Sequence, residues 1–272
     1  MKPEIFGYWE GYIEHNVVPY KLKHVPDYIK YIPIAFIAPK NTPEGTVWTP
    51  GIAGQQYTVE QIRKWCKQIH NRGTGQKVLF SLMSTPSTQW DEINMEQFAK
   101  SIAETIHDWD GLHGVDVDCE AGIPSSVYAS TMIKLVKTLR KELGPDAIIN
   151  YTTYLEDNQQ DTVVSAIADD INHVVTMAYW DDLDDAEDLF NYYAQLVGDQ
   201  NKIAVGVACT QTSLNTIQQI GNWLNSIGCN KMMLWSLTQD VKAITGEDNG
   251  TWGKAIYSAL EKNSLCSIRS NK

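Results

Sequence analysis

The chain has 272 residues, of which 43% are hydrophobic and 20% are charged, and its formal net charge at pH 7 is -11. This length and apolar content are sufficient for one large hydrophobic core. The acidic balance and the lack of a Lys/Arg cluster exclude nucleic acid and anionic membrane surfaces as partners, because basic side chains dominate such binding.

Neither a transmembrane helix nor a leader peptide is expected from the sequence. No run of about 18 apolar residues occurs, and the first residues, MKPEIFGYWEG, enter a strand-like segment without a cleavage site. We therefore expect a cytoplasmic protein, or a secreted one if a leader has been removed. The five cysteines have no CxxC spacing and are expected to be reduced thiols: Cys66, Cys119, Cys209, Cys229 and Cys266.

Apolar, β-branched runs alternate along the chain with segments of helical periodicity, as in repeated βα units. The predicted strands cover residues 4–11, 31–39, 76–84, 111–120, 147–154, 173–181, 202–210 and 231–239. The clearest amphipathic segments between them, several with Ser, Thr or Asn at the start and Gly at the end, cover residues 58–73, 94–110, 125–144, 186–199 and 213–228. Eight alternations predict one domain over residues 1–272, a parallel (β/α)8 barrel.

The fourth predicted strand carries three carboxylates at alternate positions, namely Asp116, Asp118 and Glu120. Because side chains alternate along a strand, these acids point into the barrel while the residues between them face the helices. Active sites of such barrels lie at the C-terminal ends of the strands, which places Glu120 at the rim and Asp116 deepest. Carboxylates this close in a low-dielectric interior cannot all be ionised, so at least one is expected to hold a proton.

Three explanations of this acidic stack are open. Pairing with buried basic residues is disfavoured, because no predicted strand contains an Arg. A Mg²⁺ site is a second explanation, although such sites usually gather carboxylates from different strands, and we expect neither a metal nor a cofactor. The third is a general acid at the rim with supporting carboxylates beneath it, as used in glycoside hydrolysis.

The same stretch resembles glycoside hydrolase family 18, the family of chitinases and endo-β-N-acetylglucosaminidases. The fourth strand of that family bears D-G-x-D-x-D-x-E, and residues 113–120 read HGVDVDCE, which differs only at His113. The resemblance extends along the chain through FGYW around Tyr8, AF at Ala35 and Phe36, KVLFSLMS around Ser81, MAY from Met177 to Tyr179, and LWS around Trp235.

This resemblance implies retaining, substrate-assisted endo-hydrolysis of β-1,4 bonds in N-acetylglucosamine glycans. Glu120 would protonate the glycosidic oxygen and later activate water, and the sugar's own acetamido carbonyl would be the nucleophile. Asp118 would stabilise the acetamido group, Asp116 would share a proton with Asp118, and Tyr179 would donate to the acetamido oxygen. Trp235 is expected to form the floor under the sugar, and the other expected substrate-binding residues are Tyr8, Ser81, Met177, Trp180, Asp181 and Phe36.

Departures from the family pattern are informative. Trp180 stands where the family usually has Asp or Asn, and Asp181 would then substitute for that residue. His113 replaces an acid at the bottom of the barrel, where a supporting role would be lost. Aromatic residues at strand ends could stack on sugars, with ordinary loop packing as the alternative: Trp9, Trp48, Trp90 and Trp180.

The expected partner is an N-acetylglucosamine-containing glycan bound by a monomer, with chitin ahead of the chitobiose core of N-glycans. A non-catalytic chitin-binding lectin on the same fold is the alternative, disfavoured because such lectins typically lack the acid at Glu120. About twenty residues separate predicted strands 7 and 8, which leaves no room for the α+β module of many family chitinases. With modest loops at 40–57 and 240–250, we expect an open cleft and weakly processive endo-cleavage.

Overall fold

The protein, represented here by a computed structural model, is described over residues 2–12, 20–51, 56–83, 88–118, 126–154, 158–180 and 182–261. The described strands are β1 (Glu4–Gly7), β2 (Trp9–Glu10), β3 (Ile29–Thr42), β4 (Gly45–Pro50), β5 (Lys77–Met83), β6 (Leu112–Asp118), β7 (Ile148–Thr153), β8 (His173–Thr176), β9 (Ile203–Ala208) and β10 (Lys231–Trp235). Eight of them pair in parallel in the order β1-β3-β5-β6-β7-β8-β9-β10, and β10 pairs with β1. This closed ring confirms the predicted (β/α)8 barrel.

Helices cover the outside of the barrel. They are α1 (Val59–His70), α2 (Met95–Asp108), α3 (Tyr128–Leu143), α4 (Asn158–Ile167), α5 (Leu183–Val197), α6 (Leu214–Ser226), α7 (Lys242–Thr245) and α8 (Thr251–Glu261). Thr58, Asn94, Asp182 and Ser213 cap four of them by accepting backbone N–H bonds at the N-terminus. The five amphipathic segments predicted from the sequence all contain helices, and Asp184 and Asp185 lie in the first turn of α5.

The buried residues form two layers, one inside the barrel and one between the strands and the helices. Val115 and Val117 on β6 are fully buried in the outer layer, whereas Asp116 and Asp118 point inward. The predicted alternation along β6 is therefore correct. Gly114 permits close packing against β7, because a Cβ there would lie 1.9 Å from the carbonyl oxygen of Ile148.

The chain after the second barrel strand differs from the expected loop. Strand β3 continues to Thr42 and forms an antiparallel hairpin with β4. The hairpin is fixed to α2, because the backbone N–H of Trp48 donates to Ser101 Oγ at 3.1 Å and its indole N–H donates to Thr105 Oγ1 at 2.8 Å. By contrast, β9 ends at Ala208 and α6 begins at Leu214, so the absence of an inserted module there is confirmed.

Three cysteines lie in the described residues, and all three are buried free thiols: Cys66, Cys209 and Cys229. Across the same part of the chain, no helix has the length and apolar character needed to cross a membrane.

Candidate active site

Asp116 lies at the centre of a buried polar cluster inside the barrel. The hydroxyl of Tyr8 donates to Asp116 Oδ2 at 2.7 Å, and Ser81 Oγ donates to the same oxygen at 2.8 Å. Thr152 Oγ1, from β7, contacts Asp116 Oδ1 at 2.7 Å and the Tyr8 hydroxyl at 2.9 Å. Three barrel strands besides β6 or their ends therefore hold this carboxyl in place.

The hydrogens available to this cluster favour a protonated Asp116. Four contacts join the oxygens of this cluster, three to the Asp116 carboxyl and one between Tyr8 and Thr152, but the three hydroxyls supply only three hydrogens. A proton on Asp116 supplies the fourth. Burial likewise raises the pKa of Asp116, although the three hydroxyl contacts oppose that shift. Burial, followed by the nearby Asp116 and Asp118, raises the pKa of Tyr8 far above its ordinary value, so Tyr8 stays a donor.

Asp118 lies one step above Asp116 on the same face of β6 and is 4% exposed. It borders a cavity of about 370 Å³ at the C-terminal end of the barrel. The lining residues come from the ends of four strands and the segments that follow them: Asp118, Tyr154, Met177, Tyr179, Trp180 and Trp235. A carboxylate thus stands in a pocket of mostly aromatic walls, which is a common form of a sugar-binding site.

Trp235 is held between two other rings. Phe36 stacks against it with ring centroids 5.8 Å apart and planes 21° apart, and Tyr8 contacts its edge with centroids 5.4 Å apart. The peptide bonds Ala35–Phe36 and Trp235–Ser236 are both cis. Of these rings, the indole of Trp235 lines the cavity, while Tyr8 and Phe36 are buried behind it.

Of the four tryptophans considered as sugar platforms, Trp180 is 71% exposed, Trp9 and Trp90 are buried, and Trp48 is half-buried against the core. Trp9 donates its indole N–H to the carbonyl of Tyr20 at 2.7 Å, and Trp48 packs against Phe80 and Trp109 in the outer layer. Of the two alternatives left open by the sequence, the structure therefore favours ordinary packing at Trp9, Trp48 and Trp90. These large apolar rings at strand ends pack beneath the helices and the β3–β4 hairpin.

Two of the candidate residues lie in segments that the structure does not describe, and the side chain of a third, His113, points in a different direction from the one predicted. Glu120, the expected general acid, and Asp181 lie outside the described residues. His113 does not point toward the bottom of the barrel interior, because its ring lies 6.3 Å from that of His70 on α1. Burial, together with Lys77, lowers the pKa of His113 to about 4, so it is uncharged at neutral pH.

Sequence reasoning missed three residues at or next to this site. Thr152 and Tyr154 follow from the same alternation along β7 that identified the acids on β6, and Tyr154, 44% exposed, reaches the cavity. Glu10 follows Tyr8 by two residues and is completely buried. A polar residue at an inward position of a strand end was the signal available in each case.

The described side chains of this region do not form a set of metal ligands. Within the described part of the chain, no group of three or more His, Cys, Asp or Glu side chains is arranged to hold an ion. The two described acids of the stack lie on a single strand, and the partners of Asp116 are hydroxyl groups.

Comparison with known proteins agrees with this geometry. Residues 8–243 match the family described as the endo-beta-N-acetylglucosaminidase EndoS TIM-barrel domain. The chain belongs to this family, which makes it a glycoside hydrolase by class. No match to a curated protein was found.

Solved structures with the same fold include two chitinases and one inhibitor. A GH18 chitinase from Pseudoalteromonas aurantia is 21% identical, with a TM-score of 0.73 over 94% of this chain and 100% of its own. The putative chitinase A from Streptomyces coelicolor is 18% identical, with a TM-score of 0.72 over 96% and 99%. The xylanase and alpha-amylase inhibitor protein XAIP-II from Scadoxus multiflorus is 15% identical, with a TM-score of 0.64 over 95% and 99%. Since one of these proteins is named as an inhibitor, the residues of the site must carry the functional argument.

Proposed function

We propose that the protein hydrolyses a β-1,4 bond beside an N-acetylglucosamine residue, with retention and with the substrate's acetamido group as nucleophile. The observation that carries this proposal is the inward stack on β6, in which Asp118 borders an aromatic cavity while Asp116 is held beneath it by three hydroxyls. Glu120, two residues further along the chain, would protonate the leaving oxygen and then deprotonate water.

The division of labour between the two described acids follows from their surroundings. A protonated Asp116 places no second negative charge beneath Asp118, so Asp118 can stay ionised next to it. An ionised Asp118 would orient the acetamido N–H and offset the positive charge of the cyclic intermediate. Tyr179 would donate to the acetamido oxygen from the segment that follows β8, and the plane of Trp235 would receive the apolar face of the sugar.

The substrate chemistry is the disaccharide of two β-1,4-linked N-acetylglucosamines, which chitin and the core of N-glycans share. The family match moves the N-glycan core ahead of chitin, which reverses the order favoured from sequence. Trp180 stands where glycoside hydrolase family 18 usually has Asp or Asn. Its exposed indole presents a flat apolar surface at the rim of the cavity. Chitin remains the second candidate, because the fold is shared with chitinases.

A two-substrate digestion tests the proposal. The protein is incubated with a high-mannose glycoprotein and, separately, with a soluble chitin oligomer, and the products are identified by mass. We expect release of a glycan that leaves one N-acetylglucosamine on the protein, and slower cutting of the oligomer to mixed lengths. Binding of both substrates without cleavage would instead support the lectin alternative.

The control is Glu120→Gln, which preserves size but removes the transferable proton. We expect this variant to fold normally and to lose activity by at least about a hundredfold, the scale of a general acid. Near-normal turnover by Glu120→Gln would refute the assignment of Glu120.

A further inference from the structure

Glu10 is a completely buried carboxylate at the C-terminal end of the barrel that the proposed mechanism does not use. It lies on β2, two residues after Tyr8, and its backbone pairs with Ala35 beside Phe36. Acidic side chains are almost never fully buried unless they are paired. Its position invites the question of what the carboxylate holds.

The side chain and main chain of Glu10 both bind the turn that follows β10. Ser236 Oγ donates to Glu10 Oε1, and Gln239 Nε2 donates to the same oxygen at 3.2 Å. The backbone N–H of Glu10 donates to Thr238 Oγ1 at 3.0 Å. Residues 236–239 are thus tied to β2 at three points.

That turn begins immediately after Trp235, which lines the cavity. Ser236, which donates its hydroxyl hydrogen to Glu10, directly follows Trp235 in the chain. The next residue, Leu237, donates its backbone N–H to the carbonyl of Tyr8 at 2.9 Å. The indole of Trp235 is therefore positioned by Phe36 and Tyr8 through ring contacts, and by Glu10 through the main chain.

We propose that Glu10 is a positioning residue that fixes the plane of Trp235 through Ser236, and thereby the height of the bound sugar relative to Asp118. This inference rests on the proposed function, because Trp235 is taken as the floor of the sugar site. An error of about 1 Å in the placement of reacting groups costs about a hundredfold in rate. Loss of the Glu10 carboxylate is expected to act on turnover without any contact with substrate.

Asp240 provides a matched control in the same turn. It is 3% exposed, and its carboxylate accepts from the backbone N–H groups of Trp252 and Gly253 at 3.2 and 2.8 Å. The carboxylate of this second buried acid therefore holds the start of α8, whereas the residue reaches Ser236 through its backbone N–H, which donates to the Ser236 carbonyl at 3.0 Å and is left in place by Asp240→Asn. If Glu10 only stabilises the fold, the two acids should behave alike.

The experiment compares kcat and KM for Glu10→Ala, Glu10→Gln and Asp240→Asn, each alone and combined with Trp235→Ala. We expect Glu10→Ala to lower kcat/KM by about tenfold to a hundredfold, and Glu10→Gln to retain most activity because its amide oxygen still accepts from Ser236. In the Trp235→Ala background, the same Glu10→Ala change should cost less than about twofold, because the two residues act as one unit. Equal losses in both backgrounds, or an equal loss from Asp240→Asn, would overturn the proposal.

A readout without catalysis keeps this inference separate from the proposed function. The near-ultraviolet circular dichroism of Trp235 is defined as the difference between wild type and Trp235→Phe, and we expect Glu10→Ala to lose that signal while Asp240→Asn retains it. Ser236→Ala removes the same bond and serves if Glu10→Ala does not fold. An unchanged Trp235 signal in a folded Glu10 or Ser236 variant contradicts the proposal, whether or not the protein cleaves glycans.

Discussion

Two buried titratable groups, one in the upper and one in the lower half of the barrel interior, have different surroundings. In the upper half, toward the C-terminal ends of the strands, Asp116 is surrounded by three hydroxyls. In the lower half, His173 contacts one amide oxygen, that of Asn150, at 3.0 Å. Two aromatic rings, Phe6 and Tyr31, pack against the imidazole with centroids 5.1 and 5.0 Å away.

Burial drives both groups toward their uncharged forms, but in opposite directions of pKa. Burial, with smaller contributions from Lys231 and Lys202, lowers the pKa of His173 to about 3, whereas burial raises that of Asp116. The hydroxyls around Asp116 oppose its shift, and nothing comparable favours a charged His173. The hydroxyls of the upper half therefore stabilise a negative charge on Asp116, whereas the imidazole of the lower half stays uncharged at neutral pH.

Of the variants that test this difference, Asp118→Asn in the upper half is expected to have the largest effect. A neutral amide cannot offset the positive charge of the intermediate, so we expect turnover to fall by about 100- to 1,000-fold. Stability should change little, because the side chain borders the cavity. Steady-state rates and thermal unfolding on the same preparation check both expectations. Unchanged turnover would mean that Trp180 marks a different mechanism.

The second test concerns the lower half and uses His173→Asn, whose amide can still donate to Asn150. An imidazole with a lowered pKa contributes stability that is complete above its ordinary value of 6.5 and is lost as the pH falls toward about 3. Relative to the variant, wild type should therefore lose about 3 kcal/mol of unfolding free energy between pH 7 and pH 4, at about 1.4 kcal/mol per pH unit. Urea unfolding across this range measures it, and parallel pH profiles would contradict it.

The third and smallest effect is expected from Asp116→Asn, with the opposite sign. A carboxyl with a raised pKa contributes stability that is complete below its ordinary value of 3.8 and is lost as the pH rises through the raised pKa. Wild type should thus weaken relative to the variant as the pH rises from 4 to 8, because the unfolded chain releases this proton near pH 4 while the folded protein keeps it to higher pH. If the variant instead loses ground as the pH rises, Asp116 is ionised in the folded protein at all these pH values.

Tryptophan positions show where prediction from the sequence ended. Alternation along β6 correctly separated Asp116 and Asp118 from Val115 and Val117, because that periodicity is a local property of a strand. The same reasoning could not tell the exposed Trp180 from Trp48, which packs against the core. The difference depends on a hairpin that pairs β3 with β4 and binds α2, and such contacts join segments distant in sequence.

The sequence by itself determined the βα alternation, the closed barrel that it implies, and the inward stack of acids on β6. Local periodicity and strand count are sufficient for these features, because each follows from the geometry of one repeated unit. Only the tertiary structure decided which hydroxyls surround Asp116, that Tyr154 borders the cavity, and that Glu10 binds the turn after Trp235. Those contacts join different strands that are distant in sequence and that closure of the barrel brings together. The spacing of residues along one strand does not specify them.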